Sequence, residues 1–257
     1  MLGFCIGIVF LILLCNQGWT QSKDSENVVS LCRKLLPAKM PNLKVQRILE
    51  GPIPGTCEIW SGTNVLYYYP DKNLMIIGEI FDVTTGDSLT QVSRDKILHE
   101  KIEKLPFDVA IKWGTGKVKV ILFTDPDCPF CRRVERDLFT PLLRDKIRVF
   151  VFLFPLKTLH PQAEKHSLNI ICSSKPIKKL LEYANYQKPV SSSKLLNKCS
   201  VKKARERLRK MVKAAESLNL RGVPLLVVED KIIRGARIDL IYRTINSKLA
   251  TSEKRNL

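Results

Sequence analysis

The chain has 257 residues and a hydrophobic content of 45%, which suits one large domain or two modest domains with real cores. Its formal net charge is +18, which favours attraction to anionic membrane surfaces, nucleic acid or acidic clients. Nucleic-acid binding is nevertheless not predicted, because the basic residues are scattered and their densest cluster, residues 202–210, alternates with apolar residues at the spacing of a solvated helix face.

The N-terminus carries an uncharged apolar run from Leu2 to Cys15, followed by polar residues. This run is shorter than the roughly 20 residues of a membrane-spanning helix and fits the roughly 7 to 15 residues of a signal-peptide core. We therefore predict a signal peptide over residues 1–20, and export of the protein. An uncleaved anchor stays open because no Lys or Arg precedes the run. Lipidation at Cys15 is the weaker interpretation, because Leu14 stands where a small residue is expected.

The next block, residues 21–87, predicts one short helix and several strands. Apolar spacing indicates a helix from Asn27 to Leu36, ended by Pro37. Short β-type runs separated by Gly, Pro and Asn turns follow at Leu43–Leu49, Cys57–Trp60, Val65–Tyr69 and Leu74–Phe81. A block this small is marginally stable alone, so we expect it to mediate oligomerisation.

Residues 88–106 predict a linker helix. One apolar stripe runs along it, Ser93 is suited to cap it, and Pro106 stops it. His99 lies within this helix without a partner at metal-ligand spacing, so it is interpreted as solvated or packed rather than as a ligand.

The last block, residues 107–257, alternates strands with helices and ends in a hairpin and a terminal helix. This order predicts a mixed sheet covered by helices. The predicted strands are Val118–Thr124, Ile147–Phe154, Leu225–Val228 and Ile232–Ile233, with a long, mostly helical stretch before Leu220. Val223 and Pro224 follow a glycine and open the third of these strands, where a cis proline exposes neighbouring backbone groups to an extended peptide.

The sequence Cys128-Pro129-Phe130-Cys131 lies where the first of these strands ends and a helix is predicted to begin. Unpaired N–H groups and the helix dipole favour a thiolate at such a position, so Cys128 is the expected nucleophile. A Cys-X-X-Cys pair alone also fits half a zinc site or a structural pair. The strand before it and the helix after it favour redox chemistry.

Six cysteines remain after removal of the predicted leader, and an even number in an oxidising compartment suggests pairing. Cys172 and Cys199 flank a polar, partly helical stretch and are interpreted as a structural disulfide, worth about 3.5 kcal/mol through loop closure. Cys32 and Cys57 are the third candidate pair. Their pairing stays a hypothesis, because connectivity cannot be deduced from sequence.

Other polar residues near the Cys-X-X-Cys pair do not indicate a metal or a cofactor, and none is predicted. His160 and His166 are six positions apart, which is not the spacing of a helical zinc pair. Asp125 and Asp127 would raise the pKa of Cys128 if they lay close to it. Capping of the helix start is the preferred interpretation of both aspartates.

Several ordered segments resemble the exported disulfide isomerases of the DsbC and DsbG type, within the thioredoxin superfamily. Phe123–Cys131 resembles their active-site segment, and Gly222–Pro224 resembles their cis-proline loop. The other matching features are Ala163–Lys165 followed by Cys172 and Cys199, which resemble a helical insertion with a second disulfide, and Val65–Tyr68 with Ile76–Val83, which resemble the N-terminal dimerisation domain.

The resemblance implies a fold of class α+β and α/β. A small α+β (cystatin-like) dimerisation domain would occupy residues 21–87, with a linker helix at residues 88–106. A thioredoxin-like catalytic domain would occupy residues 107–257, with a helical insertion at about residues 157–220. The family is periplasmic and forms V-shaped homodimers, so the same location and assembly are expected here.

The resemblance also implies a mechanism. Cys128 would attack incorrect disulfides in misfolded exported proteins, and Cys131 would resolve the mixed disulfide. Pro224 would hold the client backbone beside the sulfurs, and Val223, Pro129 and Phe130 complete the predicted substrate-binding residues. A membrane-bound thiol reductant similar to DsbD would keep both active-site cysteines reduced.

Three departures from the family pattern leave the direction of exchange open. Pro129-Phe130 replaces the common Gly-Tyr, and Val223 stands where the isomerases often carry Thr. Leu122 stands where cytosolic thioredoxins carry a buried acid, which makes a general reductant less favoured. The preferred function is a disulfide isomerase and reductase. The alternatives are a thiol oxidase, and a redox-independent holdase or scaffold of an exported assembly.

Overall fold

The structure is a computed structural model that describes residues 21–185 and 199–254. The predicted signal peptide, with Cys5 and Cys15, lies outside the described residues. The chain divides into two units, Met1–Gln91 and Val92–Leu257, and each has its own hydrophobic core. Within the described residues, no helix is both long and apolar enough to span a bilayer.

The first unit contains helix α1 (Gln21–Lys39) and a four-stranded antiparallel sheet in the order β1-β2-β3-β4. The strands are β1 (Arg47–Glu50), β2 (Cys57–Ser61), β3 (Asn64–Tyr69) and β4 (Leu74–Ile76), and two-residue strands β5 (Phe81–Asp82) and β6 (Asp87–Ser88) pair separately. Leu36 of α1 packs with Ile59 and Tyr68 of the sheet. A disulfide joins Cys32 of α1 to Cys57 of β2 and links the helix covalently to the sheet within this core.

Several predicted boundaries in this unit are wrong. Helix α1 begins at Gln21 rather than Asn27. Helix α1 continues through Pro37 to Lys39, because a proline in the last turn removes only one bond and the Met40 N–H still donates to the Leu36 carbonyl at 2.8 Å. The first strand begins at Arg47 rather than Leu43, since the preceding residues form turns. The predicted strand 74–81 is split into β4 and β5 by residues 77–80.

The predicted linker helix is helix α2 (Leu89–Ile102), which crosses the boundary between the two units. It ends three residues before the predicted end, because the N–H of Leu105 turns back to the Ile102 carbonyl. The predicted cap at Ser93 is wrong, since Ser93 lies inside the helix. Ser88 accepts a hydrogen bond from the Gln91 N–H at 3.0 Å instead, which is the geometry of an N-cap.

The second unit is built on a five-stranded mixed sheet in the order β11-β10-β8-β9-β7. Its strands are β7 (Ile111–Trp113), β8 (Val118–Thr124), β9 (Ile147–Leu153), β10 (Leu225–Val228) and β11 (Lys231–Arg234). Strands β8 and β9 are parallel, and the other neighbouring strands are antiparallel. The sequence did not predict β7, a three-residue edge strand. Phe154, predicted as the end of a strand, follows β9.

Helices cover this sheet, as predicted. They are α3 (Pro129–Leu138), α4 (Ala163–Cys172), α5 (Pro176–Asn185), α6 (Val201–Ser217) and α7 (Ile238–Lys254). Helices α4 to α6 lie between β9 and β10 in the chain and correspond to the predicted insertion, of which residues 186–198 are outside the described residues. A disulfide joins Cys172, the last residue of α4, to Cys199, which precedes α6. This disulfide therefore links the end of α4 covalently to the residues just before α6.

Candidate active site

Cys128 lies at the junction of β8 and α3, beyond the C-terminal end of the middle strand of the sheet. Three residues, 125–127, separate it from β8, and it is the N-cap residue of α3, with Pro129 at the first helical position. Cys128 and Cys131 are free thiols, and the other cysteines in the described part of the chain form disulfides. The exposed fraction is 6% for Cys128 and 0% for Cys131. Only the first sulfur therefore has access to solvent.

The Cys128 thiol has a pKa lowered to about 6. The hydrogen bond from Cys131 is the largest cause, and the backbone N–H groups of Cys131 and Phe130 act in the same direction, while burial and the charge of Asp125 oppose them. Cys128 is therefore mostly a thiolate at neutral pH, the form that attacks disulfides.

The Cys131 thiol behaves in the opposite way. Burial raises its pKa far above the ordinary value, and the hydrogen bond to the Cys128 sulfur raises it further. Cys131 therefore holds its proton at neutral pH. One sulfur is ready to attack, while the other retains a proton that it must lose before it becomes a nucleophile.

The Val223–Pro224 peptide bond is cis and lies beside the first sulfur. Cys128 Sγ is 3.8 Å from the Val223 carbonyl oxygen. Pro224 is buried and Val223 is partly buried, whereas Pro129 is exposed and Phe130 is 66% exposed. Of the predicted substrate-binding residues, Val223 therefore contacts Cys128, Pro224 follows it in the cis peptide, and Phe130 offers an apolar surface to solvent.

Asp125 is fully buried beneath the loop that carries Cys128. Its Oδ1 accepts the Asp127 N–H at 2.8 Å, and its Oδ2 accepts the Leu156 N–H at 2.7 Å and contacts His160 Nδ1 at 3.0 Å. The capping prediction for this residue is wrong, because the start of α3 has no side-chain cap. The carboxylate instead ties the loop to the residues that precede α4.

Asp127 makes a second contact of this kind. Its carboxylate lies 2.8 Å from His166 Nδ1 on α4 and 3.2 Å from the Arg132 guanidinium. Burial alone raises the pKa of Asp127, but the hydrogen bond and charge of His166, with the charges of Arg132 and His160, lower it overall. Asp127 likewise does not cap α3. His160 and His166 therefore both lie at the site. The sequence did not indicate this, because their partners are 35 and 39 positions away in the chain.

Sequence reasoning also missed Glu135, a fully buried acid on α3. Its Oε1 accepts a hydrogen bond from the Thr124 hydroxyl at 2.5 Å. Burial is the largest cause that raises its pKa to about 8. One signal was available in the sequence: Glu135 stands four positions after Cys131, on the same apolar face as Val134 and Leu138.

The comparisons with known proteins cover both units. A family model described as the disulfide bond isomerase protein N-terminal domain matches residues 20–91, and one described as a thioredoxin-like domain matches residues 108–235. The probable thiol:disulfide interchange protein DsbC of Bordetella avium (strain 197N) is 26% identical over 213 residues, which cover 82% of this chain and 72% of that protein. The chain belongs to the DsbC family of thiol:disulfide interchange proteins.

Other relatives of this DsbC-family chain match it in part. The probable DsbC of Bordetella pertussis (strain Tohama I / ATCC BAA-589 / NCTC 13251) is 31% identical over 126 residues, 48% of this chain and 43% of that protein. The solved thiol-disulfide exchange protein alpha-DsbA2 from Wolbachia pipientis has a TM-score of 0.52 at 15% identity, covering 60% of this chain and 97% of its own, and shares the fold. The predicted fold class is confirmed: a DsbC N-terminal domain followed by a thioredoxin-like domain. Thiol–disulfide oxidoreductase chemistry is the activity of this family.

Proposed function

We propose that the protein is a periplasmic disulfide isomerase and reductase that uses Cys128 and Cys131 on incorrect disulfides of exported proteins. The observation that carries this proposal is the opposite behaviour of the two thiols. Cys128 has a pKa lowered to about 6, whereas the pKa of buried Cys131 is strongly raised. Such a pair supports attack by the first sulfur and a later, separate step by the second.

The reaction begins when the Cys128 thiolate attacks one sulfur of a client disulfide. A bond forms between Cys128 and the client, and the other client sulfur leaves as a thiolate. In isomerisation, a second client thiol then displaces Cys128 and leaves with a new disulfide. In reduction, Cys131 displaces the client instead, and the enzyme is left with a Cys128–Cys131 disulfide while the client is reduced.

The client chain is proposed to lie extended beside Val223 and Pro224. The partly buried Val223 carbonyl faces Cys128 Sγ at 3.8 Å, so a client disulfide that reaches the sulfur passes along this backbone. Phe130, which is 66% exposed, and the exposed ring of Pro129 supply apolar contacts to the client side chains. These contacts are sequence-tolerant, as an enzyme of many misfolded clients requires.

The assembly is proposed to be a homodimer formed through the first unit, with the domain limits 21–87, 88–106 and 107–257. Apolar side chains on and around the edge strand β4 support this assignment, because they are exposed in the single chain. They are Leu74, Ile77, Phe81 and Val83, with exposed fractions of 57%, 77%, 58% and 94%. A membrane-bound thiol reductant of the DsbD kind is proposed to return Cys128 and Cys131 to the reduced state.

Refolding of a scrambled multi-disulfide protein tests the proposal. Catalytic amounts of the reduced protein should restore client activity, and Cys128→Ser should abolish this effect. Cys131→Ala should retain part of the isomerisation and accumulate mixed disulfides, because only the resolving thiol is lost. Full biological activity of Cys128→Ser would instead identify a holdase or scaffold, and activity confined to an oxidised monomer would identify an oxidase.

A further inference from the structure

A buried chain of polar groups runs from Cys131 into the core of the second unit. The side chain of Thr124, the last residue of β8, hydrogen-bonds the Cys131 sulfur and thereby lowers the pKa of that thiol. The same hydroxyl donates to Glu135 Oε1 at 2.5 Å. Thr124, Cys131 and Glu135 are each 0% exposed, so water does not compete for these contacts.

A structural role alone does not account for Glu135. Its second carboxylate oxygen, Oε2, is buried and has no hydrogen-bond partner within the described part of the chain. A buried acid with half of its hydrogen-bonding capacity unused is costly to the fold, and an apolar side chain would avoid this cost. An unused lone pair on a carboxylate is, however, what a group needs if it is to take up a proton.

We infer that Glu135 accepts the proton of Cys131, through the Thr124 hydroxyl, when Cys131 attacks the mixed disulfide. This inference rests on the proposed roles of Cys128 and Cys131. Thr124 contacts the reacting sulfur, and Glu135 acts through Thr124. Leu122, at the position where cytosolic thioredoxins carry their buried acid, leaves the second unit without an acid there, and Glu135 is the buried acid that Thr124 connects to Cys131.

The hydroxyl of Thr124 carries one hydrogen, which sets the order of events. In the mixed disulfide Cys128 is no longer a thiolate, so the Cys131 S–H that it accepted before is free to turn toward Thr124. While Glu135 is ionised, Thr124 donates to the carboxylate and its oxygen can accept this S–H. As Cys131 attacks, its proton passes to Thr124 Oγ1 and the original hydroxyl proton passes to Glu135. After these transfers the Thr124 hydroxyl donates toward the Cys131 sulfur, the direction of hydrogen bond that lowers the pKa of this thiol, and protonated Glu135 donates to Thr124 Oγ1. The reverse reaction retraces both transfers.

Atoms and electrons balance in this step. The Cys131–Cys128 bond forms, the Cys128–client bond breaks, and the client sulfur leaves with the electron pair. In this step the Cys131 sulfur is oxidised and the departing client sulfur is reduced, while Cys128 exchanges one disulfide partner for another. Over the two successive attacks, Cys128 and Cys131 give up the two electrons that reduce the client disulfide. The proton lost by Cys131 resides on Glu135, and re-reduction of the Cys128–Cys131 disulfide consumes it.

The electrostatic surroundings suit this role. Burial raises the pKa of Glu135 to about 8, and the charge of Arg132 opposes this shift while the charges of Asp125 and Cys128 add to it. The pKa of a general base is most effective when it lies near the working pH, since the base is then partly ionised and still binds a proton. A carboxylate of ordinary pKa would be a much weaker acceptor for a thiol as buried as Cys131.

The two-step reaction of the full chain, with Cys5 and Cys15 replaced by Ser and the active site reduced, with 5,5′-dithiobis(2-nitrobenzoate) separates the two sulfurs. Cys128 attacks the reagent and releases one coloured thiolate, and Cys131 then attacks the Cys128 adduct and releases the second. The protein must carry only its two active-site thiols in reduced form, which titration under denaturing conditions verifies. Stopped-flow absorbance then yields one rate for each sulfur.

Glu135→Gln keeps the size and shape of the side chain but cannot accept the proton. We expect its second phase to slow about 100-fold near pH 8, a typical contribution of general-base catalysis. The wild-type second phase should rise with pH to a plateau above about pH 8, while the variant should lack this step and rise steadily with hydroxide. The first phase should change less than about threefold, which reports an intact Cys128 site.

Thr124→Val and Thr124→Ser form the matched pair if Glu135→Gln does not fold. Thr124→Val removes the connecting hydroxyl and should slow the second phase as Glu135→Gln does, whereas Thr124→Ser should restore it. A second phase with wild-type rate and pH profile in both Glu135→Gln and Thr124→Val would overturn the inference. Absence of the first phase in the wild-type protein would instead overturn the proposed function.

Discussion

Cys128 Sγ lies 3.8 Å from the carbonyl oxygen of Val223, so the reactive sulfur faces backbone rather than open solvent. The thiol keeps an exposed fraction of only 6%. With the proposed function, we expect a client disulfide to approach Cys128 along the backbone that leads into β10. Three features can each be tested: the route by which a client reaches Cys128, the ionisation of the Cys128 thiol, and the side-chain contacts that hold the loop before α3.

The reactivity of Cys128 should follow a pKa of about 6. Because the pKa is lowered, the thiolate predominates above pH 6 and the alkylation rate by iodoacetamide should fall as the pH drops through that value. Cys131→Ala should move the inflection upward, since the hydrogen bond from Cys131 is its largest cause. Cys131→Ser retains a donor and should move it less. An unchanged inflection in Cys131→Ala would show that the helix N–H groups alone hold the thiolate.

Phe130 should contribute to client binding and not to sulfur chemistry. Phe130→Ala should raise the KM for a disulfide-bonded peptide about fivefold, equivalent to about 1 kcal/mol of lost apolar contact, and leave the alkylation rate of Cys128 unchanged. Leu142→Ala is the matched control, because Leu142 is 80% exposed in a different turn, Pro141–Leu143. Equal effects of both substitutions would point to a general surface effect instead of a client contact.

The contact between His166 and Asp127 should stabilise the second unit. His166→Phe keeps a ring against Tyr183 but removes the donor at 2.8 Å, so we expect a loss of about 2 kcal/mol in the free energy of unfolding near neutral pH. His166→Gln retains an N–H donor and should lose less. Denaturant titration at several pH values measures both.

The pH dependence of this loss has a definite sign. Asp127 has a pKa below its ordinary value of 3.8, so its contribution is present above that value and disappears as the pH falls through the lower, folded-state pKa. The difference between wild type and His166→Phe should therefore shrink toward acid pH. A constant difference would mean that His166 acts by packing alone.

Glu135→Gln should make the reduced protein more stable in alkaline solution. The pKa of Glu135 is raised from 4.5 to about 8 by burial, so ionisation favours the unfolded state and wild-type stability falls as the pH rises through this interval. Above about pH 8 the variant should be more stable by on the order of 5 kcal/mol, and near pH 4 the two should agree. If the stabilities of wild type and Glu135→Gln change with pH in parallel, Glu135 does not become ionised while it is buried.

The sequence was sufficient to predict features formed by residues that are contiguous in the chain. The apolar run of β8, the Cys-X-X-Cys pair and the Pro129 that opens α3 are contiguous, so the junction was visible without a structure. The resemblance supplied the insertion and the N-terminal domain. The two aspartates were misread as caps, because their partners His160 and His166 come from 35 and 39 positions away and only the folded chain brings them together.

Weak local signals account for the remaining differences. Strand β7 is three residues long and is held by pairing with β9, so its own sequence pattern carries little information. Pro37 is tolerated in the last turn of α1, where periodicity suggested a stop. Glu135 is one charge on an otherwise apolar helix face, and its significance depends on Thr124, which β8 places beside it.

The contacts of the buried Asp125 carboxylate limit which segments can be exchanged in chimeric proteins. Its hydrogen bonds to the Leu156 N–H and its contact with His160 join the redox loop to the residues that lead into α4. A graft that exchanges the insertion between family members and cuts within residues 156–166 would therefore remove the Asp125 contacts that hold the loop. Grafts that transplant residues 125–166 as one block preserve it, so the smallest transferable piece of this enzyme is larger than its four-residue redox motif.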